Sequence, residues 1–130
     1  MDFDVTTLRG RRADQRWNRM SVGDILERVT WSTPDKVALV GWEGAFADPR
    51  FERMTYRQAD EAANQVAHAL LDEGLQPGDR VLLYCDNSIE AIILFFGIAK
   101  AGMVAVPVNA MLAPDVLTWA IDRVRPSLAV

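Results

Sequence analysis

The sequence predicts an α/β fold: an open, mainly parallel sheet running strand, helix, strand, helix, strand, preceded by a helix and a β-hairpin. Three observations predict it. Arg80 to Cys85 (RVLLYC) is apolar without alternation, as expected of a strand covered on both faces within a parallel sheet. A nearly all-apolar stretch of helical length follows, Gly102 closes it, and Met103 to Val108 reads as the next strand. Leu117, Ala120, Ile121 and Val124 then form a helical stripe leading to a further apolar strand at Ser127 to Val130. Crossovers of this kind are right-handed and give a Rossmann-like βαβαβ sheet.

The elements follow in order. Residues 1–20 show no clear period and read as a basic N-terminal arm; the folded part is expected over 21–130. Ser21, with Asp24 as its capping-box partner, starts a helix on which Val22, Ile25, Leu26 and Val29 share one face. Thr33-Pro34-Asp35 stops it. Lys36 to Trp42 is rich in β-branched residues and pairs as a hairpin with a short strand near Phe51 to Met54. Thr55, with Gln58 in the reciprocal position, caps the next helix, whose Ala59, Ala62, Ala63, Val66 and Leu70 suit close packing on a sheet. Gly74 ends it in the left-handed region, Leu75 folds back, and Pro77-Gly78-Asp79 turns the chain into the first parallel strand. Asn87 is expected to cap the apolar helix, with Glu90 behind it, and that helix should be buried nearly all round. Pro114 fits the first turn of the last helix and Pro126 ends it. The final strand stops after four residues, leaving an open sheet edge, and the chain reads as a piece of something longer.

Composition bounds the function. With 130 residues and half of them apolar, the chain is long enough for one domain with a core. A net charge of −4 argues against general nucleic-acid affinity. The arginines of the arm (Arg9, Arg11, Arg12, Arg16 and Arg19) form a short solvated cluster rather than a nucleic-acid or membrane arm. One cysteine excludes an intrachain disulfide framework and suits a reducing compartment. There is no secretory pattern, and the longest apolar run, Ala91 to Ala99, is far below the roughly 20 residues of a membrane span. A cytoplasmic location is expected. The excess of arginine over lysine, with abundant Ala and Val, fits a high-GC bacterial source.

In open parallel sheets ligands bind beyond the carboxyl ends of the strands. Here those ends carry Asp86-Asn87-Ser88 and Pro107-Val108-Asn109. On residue chemistry alone Asn87 is a cap and Asn109 a turn residue. No glycines fit a phosphate-cradling fingerprint, and only Asp86, an acid at a strand end, hints at a dinucleotide site. His68 lies within a helix with only Cys85 as a further soft ligand, so zinc is not expected; Cys85 reads as a buried structural residue. Ser21, Ser32, Ser88 and Ser127 lack a nucleophile-elbow context. Asp60-Glu61 and Asp72-Glu73 read as solvated helix faces, and Trp17, Trp31, Trp42 and Trp119 as core or rim. No catalytic, cofactor-binding or metal-binding residue is assigned.

Five short motifs in order carry more. Pro34-Asp35-Lys36-Val37-Ala38, Met54-Thr55-Tyr56-Arg57-Gln58, Gly78-Asp79-Arg80-Val81, Asn87-Ser88, and Lys100-Ala101-Gly102 running to Pro107-Val108-Asn109 together resemble the N-terminal region of the AMP-forming acyl-CoA synthetases, within the adenylate-forming superfamily. The resemblance covers roughly 21–130. It implies the N-terminal subdomain of the acyl-CoA synthetase fold. It also implies a two-step ligase that uses ATP, Mg2+ and coenzyme A, activating a carboxylic acid of fatty-acid type through an acyl-adenylate to a thioester. Asn109 resembles the acyl- and aryl-CoA ligases more than amino-acid-activating domains. The family's ATP loop, adenine and ribose contacts, magnesium-binding glutamate and catalytic lysine match no position here, so this chain alone is expected to be inactive. Two other readings remain: a stand-alone non-catalytic module that self-associates through its last strand, and a small Rossmann-like nucleotide binder, which the missing glycine fingerprint disfavours.

Overall fold

The computed structural model describes residues 21–130; the expected basic arm lies outside the described residues. The chain runs α1 (Val22–Ser32), β1 (Val37–Val40), a 3-10 turn (Pro49–Phe51), β2 (Arg53–Thr55), α2 (Tyr56–Asp72), β3 (Arg80–Tyr84), α3 (Ile89–Lys100), β4 (Val104–Val108), α4 (Pro114–Val124) and β5 (Leu128–Ala129). β1 and β2 form the expected antiparallel pair. The other three strands are parallel in the order β4-β3-β5, so β3 is central. That position explains its sequence: Val81, Leu82 and Leu83 are all buried.

The local signals form as expected at both capping boxes. The Asp24 N–H donates to Ser21 Oγ and the Ser21 N–H to Asp24, while Thr55 and Gln58 exchange the same pair of bonds. Gly74 and Gly102 adopt φ 89° and 72° just past their helices, a region that a side chain strains. Asp79 caps the turn into β3 by accepting from the Gln76 N–H at 2.7 Å and from Ser127 Oγ at 3.0 Å, which ties the start of β3 to the start of β5. These two bonds hold its carboxyl below the ordinary carboxylate range.

The core lies between the sheet and the α2–α3 pair. Ala67, Leu70, Leu75, Val81, Leu83, Ile98, Ala101 and Met103 form one cluster; Met54, Ala59, Ile89 and Ile93 form a second. α2 and α3 approach closely because Gly97 faces Val66 and Ala63; a Cβ at position 97 would lie 2.5 Å from Val66 Cβ.

Three expectations are corrected here. The packed face of α1 is Gly23, Leu26 and Thr30, while Val22 and Ile25 are exposed. Gly23 wins because α1 rests on Lys100, whose Cγ would lie 3.0 Å from a Cβ at position 23. Asp60 is not on a solvated face: with Glu27 at 2.7 Å it brackets the ammonium of Lys100, at 2.8 Å, and the Lys100 side chain is only 5% exposed. Burial alone would depress the Lys100 pKa, but hydrogen bonds to Asp60 and Glu27 outweigh it and raise the ammonium above its ordinary value. Finally, α3 is not buried all round. Ile89, Ile93, Gly97 and Ile98 are buried, but Ile92 and Phe95 are exposed, since no described element packs over that face.

Candidate functional site: a cleft at the carboxyl ends of β3 and β4

The uncovered face of α3 forms one wall of a cleft of about 690 Å³. Leu83 forms its floor, and Cys85, Asp86, Asn87 and Ser88 lead from the end of β3 into α3. Pro107, Val108 and Asn109 arrive from β4, and Ile92, Phe95 and Phe96 project from α3. Trp42 and Ala45 close the remaining side. The two strand-end segments singled out in the sequence are thus brought together, where open parallel sheets place their ligands. The strand order reverses direction between β3 and β5, one strand away from the cleft.

Each part has a local cause. Ser88, not Asn87, is the N-cap of α3: its Oγ accepts from the Ala91 N–H at 3.1 Å. Asn87 is thereby left on the cleft lining. Asn109 makes the expected turn, its Oδ1 accepting from the Met111 N–H at 2.8 Å. Tyr84 pins the same loop by donating its hydroxyl to the Ala110 carbonyl at 3.0 Å. Phe95 and Phe96 meet edge to face, with ring centroids 6.2 Å apart.

Cys85 is exposed, contrary to the buried role expected of it. It stands one residue past the end of β3 and so leaves the covered part of the sheet at the mouth of the cleft. His68 is exposed on α2, outside the cleft lining. Trp31, Trp42 and Trp119 are exposed, so none of them is core. Sequence reasoning missed Trp42, Ile92, Phe95 and Phe96 as cleft residues. The signal for the last three was present: α3 carries more apolar surface than one packed face can use.

The cleft is apolar on its walls and neutral or acidic on its rim. None of its lining residues is Lys, Arg or His, so they provide no counter-charge for a triphosphate. Among the described residues no group of three or more His, Cys, Asp or Glu is placed to hold a metal ion. The cleft lining therefore offers no cationic group to a nucleotide phosphate, and it can contribute shape, apolar contact and neutral hydrogen bonds.

This parallel α/β unit, preceded by a helix and a β-hairpin, has the fold of the opening part of solved acyl-CoA synthetases. The chain belongs to the AMP-binding enzyme family, whose profile matches residues 26–130. Among its curated relatives, the medium/long-chain-fatty-acid–CoA/3-oxocholest-4-en-26-oate–CoA ligase of Mycobacterium marinum is 37% identical over 104 residues, covering 80% of this chain and 18% of that protein. The solved Mycobacterium tuberculosis fatty acyl CoA synthetase superposes with a TM-score of 0.73 at 34% identity, over 84% of this chain and 20% of that one. The anthranilate CoA ligase AuaEII, solved in complex with anthranoyl-AMP, gives 0.72 at 34% identity, over 85% and 20%. The chain thus spans about a fifth of the length of these relatives.

Proposed function

We propose that this chain supplies the opening subdomain of an AMP-forming acid–thiol ligase that activates a fatty-type carboxylic acid as an acyl-adenylate and passes it to coenzyme A. The observation that carries this reading is the 37% identity, over 80% of the chain, to a relative named as a medium/long-chain-fatty-acid–CoA ligase. The apolar walls of the cleft support an acid with a substantial apolar part. The contacts to ATP, Mg2+ and coenzyme A belong, on this reading, to segments outside these residues, and residues 21–130 by themselves are inactive. No described helix is long and apolar enough to cross a membrane. A bacterial source fits the mycobacterial relatives, and the single cysteine fits a reducing, cytoplasmic compartment.

The test is to express the longest open reading frame containing these residues and measure acid-dependent exchange of pyrophosphate into ATP, then thioester formation, with medium- and long-chain fatty acids and aryl acids. Exchange and thioester formation with the fatty acids support the reading. A frame that terminates at Val130, or a longer product that forms no adenylate with any acid, overturns it.

A second expectation concerns assembly. The outer edge of β5, the last strand, has no strand partner among the described residues, and we propose that the 130-residue chain self-associates through it. A single monomer peak in light scattering across the micromolar range would refute that.

A further inference from the structure

The cleft wall that carries Trp42 and Ala45 is a loop, and its hydrogen bonds to α3 run through one carboxylate and one backbone pair. Glu90, in the first turn of α3, accepts at Oε1 from the Ala47 N–H at 2.6 Å and, more weakly, from the Asp48 N–H at 3.4 Å. The exchange is reciprocal, because the Ile89 N–H, a donor without an intrahelical partner, donates to the Ala45 carbonyl at 2.8 Å. Ala45 is buried and closes the turn by donating its own N–H to the Trp42 carbonyl at 2.9 Å. Gly41 completes the seat: a Cβ there would lie 2.7 Å from the Phe46 ring, so the loop folds flat against its own strand. Glu90 Oε2 is buried and has no hydrogen-bond partner among the described residues.

We infer that Glu90 is a positioning residue that holds the 42–48 loop as one wall of the cleft and thereby sets the width of ligand the cleft admits; the word ligand here rests on the cleft's being part of the proposed acid-activating site. The loop otherwise attaches to α3 through the Ile89–Ala45 bond. Removing a charge-assisted acceptor from two backbone donors therefore frees the segment bearing Trp42 while leaving the sheet and the α2–α3 core in place.

Cys85, the only cysteine, lines the same cleft and reports its width. The rates at which iodoacetamide and the bulkier pyrene maleimide modify Cys85 are measured on the full chain, the Glu90→Ala variant and the Glu90→Gln variant, together with amide hydrogen exchange. Glu90→Ala is expected to raise the ratio of bulky to small reagent rates several-fold and to speed exchange of the Ala47 amide by about tenfold. The amides of β3 should stay protected. Glu90→Gln keeps the acceptor and is expected to restore both readouts. An unchanged ratio in Glu90→Ala, failure of Glu90→Gln to restore it, or loss of protection throughout β3 would overturn the assignment. No acid, ATP or thiol substrate enters these measurements, so failure of the ligase reading leaves the result standing.

Discussion

Lys100 Nζ lies 2.8 Å from Asp60 Oδ1, and the two side chains are only 5% and 14% exposed. The pair joins the last turn of α3 to α2, and Glu27 on α1 and Asn64 on α2 complete the shell at 2.7 and 2.8 Å. Three helices converge on one ammonium. A buried ion pair adds little over a well-packed apolar substitute, but breaking it from one side leaves a charge without compensation. Lys100→Met should therefore destabilise the chain by about 3–5 kcal/mol in urea unfolding. Asp60→Leu combined with Lys100→Met should recover much of that loss. Because Glu27 is 39% exposed, its coupling to Lys100 should be the smaller of the two. A double-mutant cycle in which Glu27 couples more strongly than Asp60 would contradict this account.

The same cluster predicts how stability changes at alkaline pH. A lysine whose folded-state pKa lies above its unfolded value contributes stability that is fully present below the unfolded pKa. The contribution is lost as pH rises through the folded value. For Lys100, raised from 10.5, urea midpoints should stay level through neutral pH as far as this group is concerned and fall only in the strongly alkaline range. Lys100→Met should remove that component of the fall.

Asp79 makes the opposite prediction. Bonds from the Gln76 N–H and then Ser127 lower its pKa from 3.8, so its contribution is present above the unfolded value and lost as pH falls through the folded one. Asp79→Asn should lower the urea midpoint at neutral pH and change it little at the acid end, so that the acid limb becomes shallower below about pH 4. Asp24, lowered chiefly by the backbone N–H and then the hydroxyl of Ser21, adds to the same limb and should keep part of it in the variant.

These features mark what a sequence can disclose. The order of elements, both capping boxes and the left-handed glycines at 74 and 102 are local, since each depends on residues within one turn of one another. The burial of Lys100 is not local. Its partners lie 73 residues away at Glu27 and 36 away at Asn64, and a lysine at the end of a helix ordinarily reads as exposed. The cleft is intermediate. Its strand ends were marked by position, but the wall carrying Trp42 depends on where Glu90 holds a loop more than forty residues earlier in the chain. Cys85 was misjudged by one residue at a strand end, where burial changes abruptly.

The cap of α3 separates two adjacent residues. Ser88 Oγ accepts from the Ala91 N–H, while Asn87 stands one position too early to do so. Ser88→Ala should lower stability by about 1 kcal/mol in thermal or urea unfolding. Asn87→Ala should change it by no more than about 0.5 kcal/mol, as for a surface position. If the two effects are reversed, the helix begins one residue earlier than Ile89.

Gly97 sets the distance between α2 and α3. A Cβ at that position would come within 2.5 Å of both Val66 Cβ and Val66 Cγ1 and within 2.9 Å of the Ala63 carbonyl oxygen. Only the first two obstacles belong to a side chain. Gly97→Ala should therefore cost about 1–3 kcal/mol, the range for overpacking a filled core, despite the better helix propensity of alanine. Val66→Ala in the same chain removes the Cγ1 contact but keeps the Val66 Cβ and the Ala63 carbonyl in place, so rescue should be partial. Full rescue would mean that the helices shift apart freely and that α2–α3 packing does not fix the wall on which Ile92, Phe95 and Phe96 stand. Partial rescue, with Cys85 still modified at the unaltered rate by small and bulky reagents, would show that the helix pair is a rigid base for the cleft.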